Sequence, residues 1–237
     1  VGAFDSRGQE IARSVATLLT RLGISFGILG EGEVSDGNEA NAMGESDLFR
    51  LLAEENIGHF NKLNVKKIIA LSPHGFNALK NEYPALGGVY RVFHYTQILA
   101  DHTASLAVKD NPSKVRVTYH DPCYLGRHNW EYGAARKVLA ALPGVEIREM
   151  DRSMQDALCC GGGGGNLFTD ILGNGPESPA RNRVVEALDT DGEILAVSCP
   201  TCAVMLEDAV KSNNMDERIQ VKEISEIVNE RLNPSLA

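Results

Sequence analysis

The residues best suited to chemistry are five cysteines in the second half of the chain. They form a single cysteine, an adjacent pair that precedes five glycines, and a C-x-x-C pair: Cys123, Cys159, Cys160, Cys199 and Cys202. An odd number of cysteines with this spacing is unlike the disulfide framework of a small secreted domain. We therefore expect thiolates that are kept for a metal in a reducing compartment.

The elements that must position these cysteines alternate along the chain. Helical periodicity is found over 8–23, 46–64, 131–142, 178–190 and 203–211, and strand-like segments over 24–30, 65–72, 115–121, 145–150 and 193–198. Two further strand–helix pairs are expected at 90–101 and 219–230. Such alternation predicts an α/β fold with parallel sheets flanked by helices.

In this arrangement the cysteines follow predicted strands. Cys123 comes just after 115–121, the Cys159–Cys160 pair follows the region of 145–150, and the C-x-x-C pair follows 193–198. Ligands of open α/β sheets bind beyond the carboxyl ends of the strands. We expect the five thiols to converge there from three loops.

The two halves of the chain are similar to each other. Segment 70–84 aligns with 197–211, and the segment around Ser35 and Asp36 aligns with the Cys159–Cys160 pair. The positions that match the five cysteines hold other residues in the first half: Ala3, Ser35, Asp36, Ser72 and Gly75. We predict an internal duplication into two similar lobes, 1–108 and 112–237, joined near 109–114, with the cysteines confined to the second lobe.

The glycines after the cysteine pair predict a sharp turn. Neighbouring side chains point apart in extended backbone, so Cys159 and Cys160 reach one centre only if the chain turns. Gly161 and Gly162 permit that turn and let the backbone approach a cofactor, which makes them candidate cofactor-binding residues.

Other interpretations of the cysteines stay open. A disulfide between neighbours is strained, and a phosphate-binding loop lacks its G-x-x-x-x-G-K-[ST] pattern. A thioredoxin-like exchange site at "CPTC" leaves three cysteines without a role. Structural zinc on Cys199, Cys202 and two other thiolates is the strongest rival, because C-x-x-C suits tetrahedral zinc.

Two histidines near Cys123 are candidate catalytic residues. His120 and His128 could each donate a proton to a substrate sulfur as a general acid. The alternative for each is a structural hydrogen bond.

Composition excludes several classes of protein. A hydrophobic fraction of 43% and a charged fraction of 23% are ordinary for a globular protein. A net charge of -9 is unsuited to nucleic acid, whose phosphates require clustered Lys and Arg. The apolar segments are shorter than a membrane span.

The order of a single Cys, a long gap, CCG, a comparable gap and C-x-x-C resembles the cysteine-rich CCG domain family. That family includes the catalytic subunits of heterodisulfide reductases and related iron–sulfur subunits. The resemblance implies a noncubane 4Fe-4S cluster held by Cys123, Cys159, Cys160, Cys199 and Cys202. In the first half every expected cysteine is replaced, so we expect one cluster.

The resemblance also implies two classes of function. One is an oxidoreductase subunit that carries electrons and reduces a disulfide. The other is an electron relay between a flavoprotein or ferredoxin-type partner and a quinone, without a substrate of its own. We expect a cytoplasmic location, with any association with the inner face of a membrane made through partner subunits.

Overall fold

The computed structural model describes residues 5–109, 113–173 and 175–233. The predicted α/β class is confirmed, and the strands of the described residues are β1 (Lys67–Ala70), β2 (Arg91–His94), β3 (Val115–Tyr119), β4 (Val145–Ile147), β5 (Ile194–Val197) and β6 (Gln220–Glu223). The α-helices of the same residues are α1 (Ser6–Arg21), α2 (Asn38–Ala42), α3 (Ser46–Lys62), α4 (Pro73–Asn77), α5 (Tyr95–Asp101), α6 (Gly133–Ala140), α7 (Asn166–Thr169), α8 (Pro179–Asp189), α9 (Pro200–Ser212) and α10 (Ile224–Arg231). No helix in these ranges is long and apolar enough to cross a membrane.

Two parallel sheets form the framework. In the first half β1 pairs with β2, and in the second half the strand order is β4-β3-β5-β6. Every residue of β5 is buried, which matches its uninterrupted apolar sequence. Because the strands of the larger sheet are parallel, β3 and β5 deliver the segments that follow them to the same edge.

The two halves repeat one local pattern. β1 leads into α4, whose N-cap residue is Ser72, and β5 leads into α9, whose N-cap residue is Cys199; a proline follows each N-cap residue. β2–α5 and β6–α10 also correspond, because each helix begins with a capping box whose N-cap residue is His94 or Glu223. These shared details support the duplication seen in the sequence.

The hydrophobic core crosses the predicted boundary between the lobes. Helix α1 packs against α10 and α9, and α5 packs against α6. Leu18 and Leu99, from the first half, are fully buried in one cluster with Val117 and Val228. The division into 1–108 and 112–237 stays a prediction, and part of the predicted linker, 110–112, lies outside the described residues.

One predicted strand is wrong. Residues 24–29 form neither helix nor strand, and Gly30–Gly32 is a short 3-10 helix. Phe26 and Ile28 are 41% and 81% exposed. A strand needs a hydrogen-bonded neighbour, and in the described residues β1 pairs only with β2, so the apolar alternation of this segment has no sheet to join.

Candidate metal centre

All five cysteines meet beyond the carboxyl ends of β3 and β5. The Sγ atoms of Cys160 and Cys202 lie 3.3 Å apart. Cys159 is in hydrogen-bonding contact with Cys123 on one side and Cys160 on the other, and Cys199 with Cys202. All five are free thiols. The structure therefore brings together the residues that the sequence singled out, from two loops and from the start of helix α9.

The group of thiols has a buried side and an accessible side. Cys160, Cys199 and Cys202 are at most 3% exposed, whereas Cys123 and Cys159 are half-buried. Cys123 and Cys159 are therefore the thiols that solvent can reach.

The glycines shape the loop in two different ways. Gly161 has a φ of +80°, and its N–H donates to Cys159 Sγ over 3.3 Å. This left-handed residue makes the turn that lets the adjacent cysteines face one centre. A Cβ on Gly162 would lie 2.6 Å from Met205 Cγ and 2.7 Å from Thr201 Cγ2, so Gly162 packs closely against α9. A role of either glycine in holding a cofactor stays a prediction.

Hydrogen bonds between the cysteines shift the pKa values of their thiols in opposite directions. Hydrogen bonds from Cys123 and Cys160 lower the pKa of Cys159, and a hydrogen bond from Cys202 lowers the pKa of Cys199 to about 6. The pKa values of the three donor thiols are raised, because ionising any of them breaks its hydrogen bond and places a second negative charge in a buried group. Such a group of thiols is suited to a cation that neutralises its charge.

His120 lies directly beside the buried thiols. One of its ring nitrogens is within 4.8 Å of Cys160 Sγ and Cys202 Sγ. Its Nδ1 accepts a hydrogen bond from Arg183 Nε at 3.1 Å, and Nε2 has no partner among the described residues. Burial, and then the charge of Arg183, lowers the pKa of His120 to about 3, so the imidazole is neutral.

His128 lies on the accessible side. Its ring stacks on Tyr124 with centroids 4.3 Å apart and planes 6° from parallel. Its backbone N–H donates to the carbonyl of Cys123 at 3.2 Å, and its side chain is exposed. The general-acid roles of His120 and His128 stay predictions, but the two residues occupy very different environments.

The cysteine-free half contributes residues that the sequence did not indicate. Glu39 accepts from the N–H of Gly165 at 3.2 Å and pairs with His74 Nδ1 at 2.9 Å. The His74 ring meets the Tyr124 ring edge-on, with centroids 4.3 Å apart. Burial opposes protonation of His74, yet the bond to Glu39 and the nearby charge of Cys199 raise its pKa overall. No local pattern in the sequence signals this pairing.

The positions that match the cysteines keep the geometry of the second half. Gly37 has a φ of +79° and donates to Ser35 Oγ at 3.2 Å, as Gly161 donates to Cys159. A Cβ on Gly75 would lie 2.8 Å from Asp36 Oδ2, so these two residues are neighbours, as Cys202 and Cys160 are. Ala3, the predicted match for Cys123, lies outside the described residues.

Comparison with known proteins agrees with this geometry. The cysteine-rich domain family named CCG matches residues 2–80 and 117–207. The chain belongs to this family, and the two matched regions correspond to its two halves.

Several curated proteins are similar to the chain. The probable iron-sulfur-binding oxidoreductase FadF of Bacillus subtilis is 37% identical over 96% of this chain and 32% of its own length. EtfAB:quinone oxidoreductase of Syntrophomonas wolfei is 38% identical over 95% of this chain and 32% of its length. A subunit of the dihydromethanophenazine:CoB--CoM heterodisulfide reductase of Methanosarcina barkeri is 36% identical over 94% of this chain and 56% of its length. The chain thus spans about a third of the first two relatives and about half of the third.

Proposed function

We propose that this chain is the electron-transferring domain of an iron–sulfur oxidoreductase. The observation that carries the proposal is the convergence of all five cysteines at one edge of the larger sheet. The similarity to FadF, a probable iron-sulfur-binding oxidoreductase, and to the heterodisulfide reductase subunit of Methanosarcina supports it.

The residues present fit an iron–sulfur cluster. Thiolates are the soft ligands that iron–sulfur clusters and zinc prefer. Zinc in a structural site takes four ligands, and an ordinary cubane takes four cysteines. The fifth thiol favours a larger centre, and the resemblance of the motif supports a noncubane 4Fe-4S cluster on Cys123, Cys159, Cys160, Cys199 and Cys202. When bound, such a cluster supplies one-electron transfer.

The chain's own residues would control access to the centre. The buried thiols exclude water from one side, while Cys123 and Cys159 are open to exchange. Arg127 Nη1 donates to the carbonyl of Ala157 at 2.6 Å and so fixes the segment that enters the cysteine pair. We propose that His128, which is exposed on the same side, delivers protons from solvent.

The names of the relatives support two electron acceptors, a disulfide and a quinone. In a disulfide reductase, two electrons and two protons cleave one S–S bond into two thiols. In a relay, electrons pass from a flavoprotein or ferredoxin-type partner to a quinone, and the name of the Syntrophomonas relative supports this version. We propose the same partners here, and a cytoplasmic location that includes the inner face of a membrane when a partner is anchored there.

Anaerobic stopped-flow spectroscopy tests the function. The protein is reduced with dithionite and mixed in turn with a water-soluble quinone and with a small heterodisulfide, and reoxidation is followed in the visible spectrum. Reoxidation by the quinone alone supports the relay, and two-electron turnover with the disulfide supports the reductase. A protein that accepts no electrons from dithionite contradicts the proposed function.

Cys160→Ser is measured with the quinone and with the disulfide as well, because it removes a buried thiol that touches two others. It should abolish the redox response. Ser35→Ala, at the position of the cysteine-free half that matches the neighbouring Cys159, should leave the response unchanged.

A further inference from the structure

Arg183 and His120 form a fully buried polar pair behind the thiols. Each is 0% exposed. Arg183 Nη1 donates to the carbonyl of Arg152 at 2.7 Å and to Glu186 at 2.8 Å, while Nε donates to His120 Nδ1. Burying a guanidinium costs free energy unless its hydrogen bonds are made. Glu186 and the Arg152 carbonyl satisfy Nη1, the bond to His120 satisfies Nε, and Nη2 has no partner among the described residues.

The hydrogen bond between Arg183 and His120 determines which ring nitrogen carries the proton. A guanidinium has five N–H donors and no acceptor, so His120 Nδ1 must present a lone pair. A neutral imidazole with a lone pair on Nδ1 carries its hydrogen on Nε2. The tautomer is therefore set by Arg183, which reaches His120 from α8.

The remaining nitrogen, Nε2, is a buried donor without a partner among the described residues. A buried donor that lacks a partner destabilises the protein, because it has lost its hydrogen bond to water. The Sγ atoms of Cys160 and Cys202 lie within 4.8 Å of a ring nitrogen of His120. Since Nδ1 is engaged by Arg183, Nε2 is the nitrogen left for these sulfurs.

We propose that Arg183 is a positioning residue that keeps His120 as an N–H donor toward the sulfurs of the centre and prevents it from binding the metal. Metal binding through Nε2 would need a lone pair there and a hydrogen on Nδ1, directly against the Arg183 N–H. This inference rests on the proposed function, because the centre it describes is the iron–sulfur cluster.

The proposal predicts an effect on the reduction potential. Hydrogen bonds to the sulfurs of a cluster favour its more negative, reduced form and so raise its potential. His120→Phe removes the N–H and retains a ring, and it should lower the midpoint potential. Arg183→Met should lower it as well, and by less when His120 is already Phe, because part of the effect of Arg183 passes through His120.

Pulsed paramagnetic resonance on protein labelled with ¹⁵N in its histidines is the direct test. The proposal predicts a weakly coupled histidine nitrogen in the wild type that is lost in His120→Phe. A strongly coupled nitrogen, as for a ligand bound to iron, overturns the proposal, and so does the absence of any coupling lost in His120→Phe. The wild-type spectrum stands even if a variant fails to fold.

Matched variants separate the role of Arg183 from general effects. Arg183→Lys retains a positive charge without the planar geometry of the guanidinium. Its midpoint potential should therefore lie between those of Arg183→Met and the wild type. Arg181→Lys is the control, because Arg181 lies on the same helix and its Nε donates to Asn213 at 3.0 Å; it should leave the potential unchanged. Full additivity of Arg183→Met and His120→Phe overturns the positioning role.

Iron and sulfide are measured on every sample. Protein without a cluster contradicts the proposed function, whereas a normal cluster with unchanged potentials and spectra in the variants contradicts only the role of Arg183.

Discussion

Replacing Gly162 by alanine tests the packing of the glycine loop. A Cβ at this position would lie 2.6 Å from Met205 Cγ and 2.7 Å from Thr201 Cγ2. Met205 is flexible, but Thr201 is β-branched and stands in the first turn of α9, one residue before Cys202. The added methyl group must therefore displace the start of the helix that carries two of the cysteines.

The expected cost follows from overpacking. An extra methyl group in a well-packed site costs about 1–3 kcal/mol. For a chain of this size, such a loss lowers the unfolding temperature by about 2–12 °C. We also expect a lower iron content in Gly162→Ala, because Cys202 moves with α9.

Gly163→Ala is the matched control, because a Cβ on the next residue would meet nothing within 4 Å. Neither glycine has a positive φ, so the backbone accepts alanine equally well at the two positions. Thermal unfolding and iron content are measured on both variants under argon. Equal unfolding temperatures and equal iron contents would refute the packing argument.

Three further predictions concern the core, the buried carboxylate of Glu223 and the half-buried carboxylate of Glu39. Leu18→Ala should lower the free energy of unfolding by about 2–5 kcal/mol in urea titrations, because Leu18 is fully buried. Leu51→Ala should change it by less than about 0.5 kcal/mol, because Leu51 is 61% exposed. Equal effects of the two substitutions would contradict the shared core. Burial raises the pKa of Glu223 from 4.5 to about 7, so the folded chain keeps a proton that the unfolded chain releases. This proton contributes about 3 kcal/mol to the free energy of unfolding below pH 4.5, and the contribution is lost as the pH rises through 7. The free energy of unfolding, measured from pH 4.5 to 8, should therefore fall less in Glu223→Gln than in the wild type. An unchanged profile would count against the assignment. Glu39→Gln should speed amide hydrogen exchange at the glycine loop, because the carboxylate of Glu39 accepts a hydrogen bond from the N–H of Gly165. Glu45→Gln is the control and should not change the exchange, because Glu45 is exposed. Identical exchange in the two variants would show that the contact between Glu39 and Gly165 is unimportant.

Much of the fold could be predicted because its signals are local. The pairs β2–α5 and β6–α10 lie at 91–101 and 220–231, almost where the sequence indicated them, since each joins a short apolar strand to a periodic helix. The convergence of the cysteines was also predictable, because parallel strands bring the segments after them to one edge. The CCG and C-x-x-C spacing placed the candidate site without any knowledge of tertiary contacts.

What the sequence did not reveal depends on distant pairings. Residues 24–29 have the composition of a strand, but sheet formation depends on a neighbour that is not adjacent in the chain. Glu39 and His74 look like unrelated residues of a half without cysteines, and only the fold brings them to the glycine loop. Arg183 reads as one polar residue on a periodic helix, and its partner His120 is 63 residues away.

The most direct test of the central claim is the metal and sulfide content of protein purified without oxygen. We predict about four irons and four acid-labile sulfides per chain, with loss of both in Cys160→Ala and retention of both in Ser35→Ala. About one zinc per chain with no sulfide would contradict the claim, and would assign the same thiols to a structural zinc site.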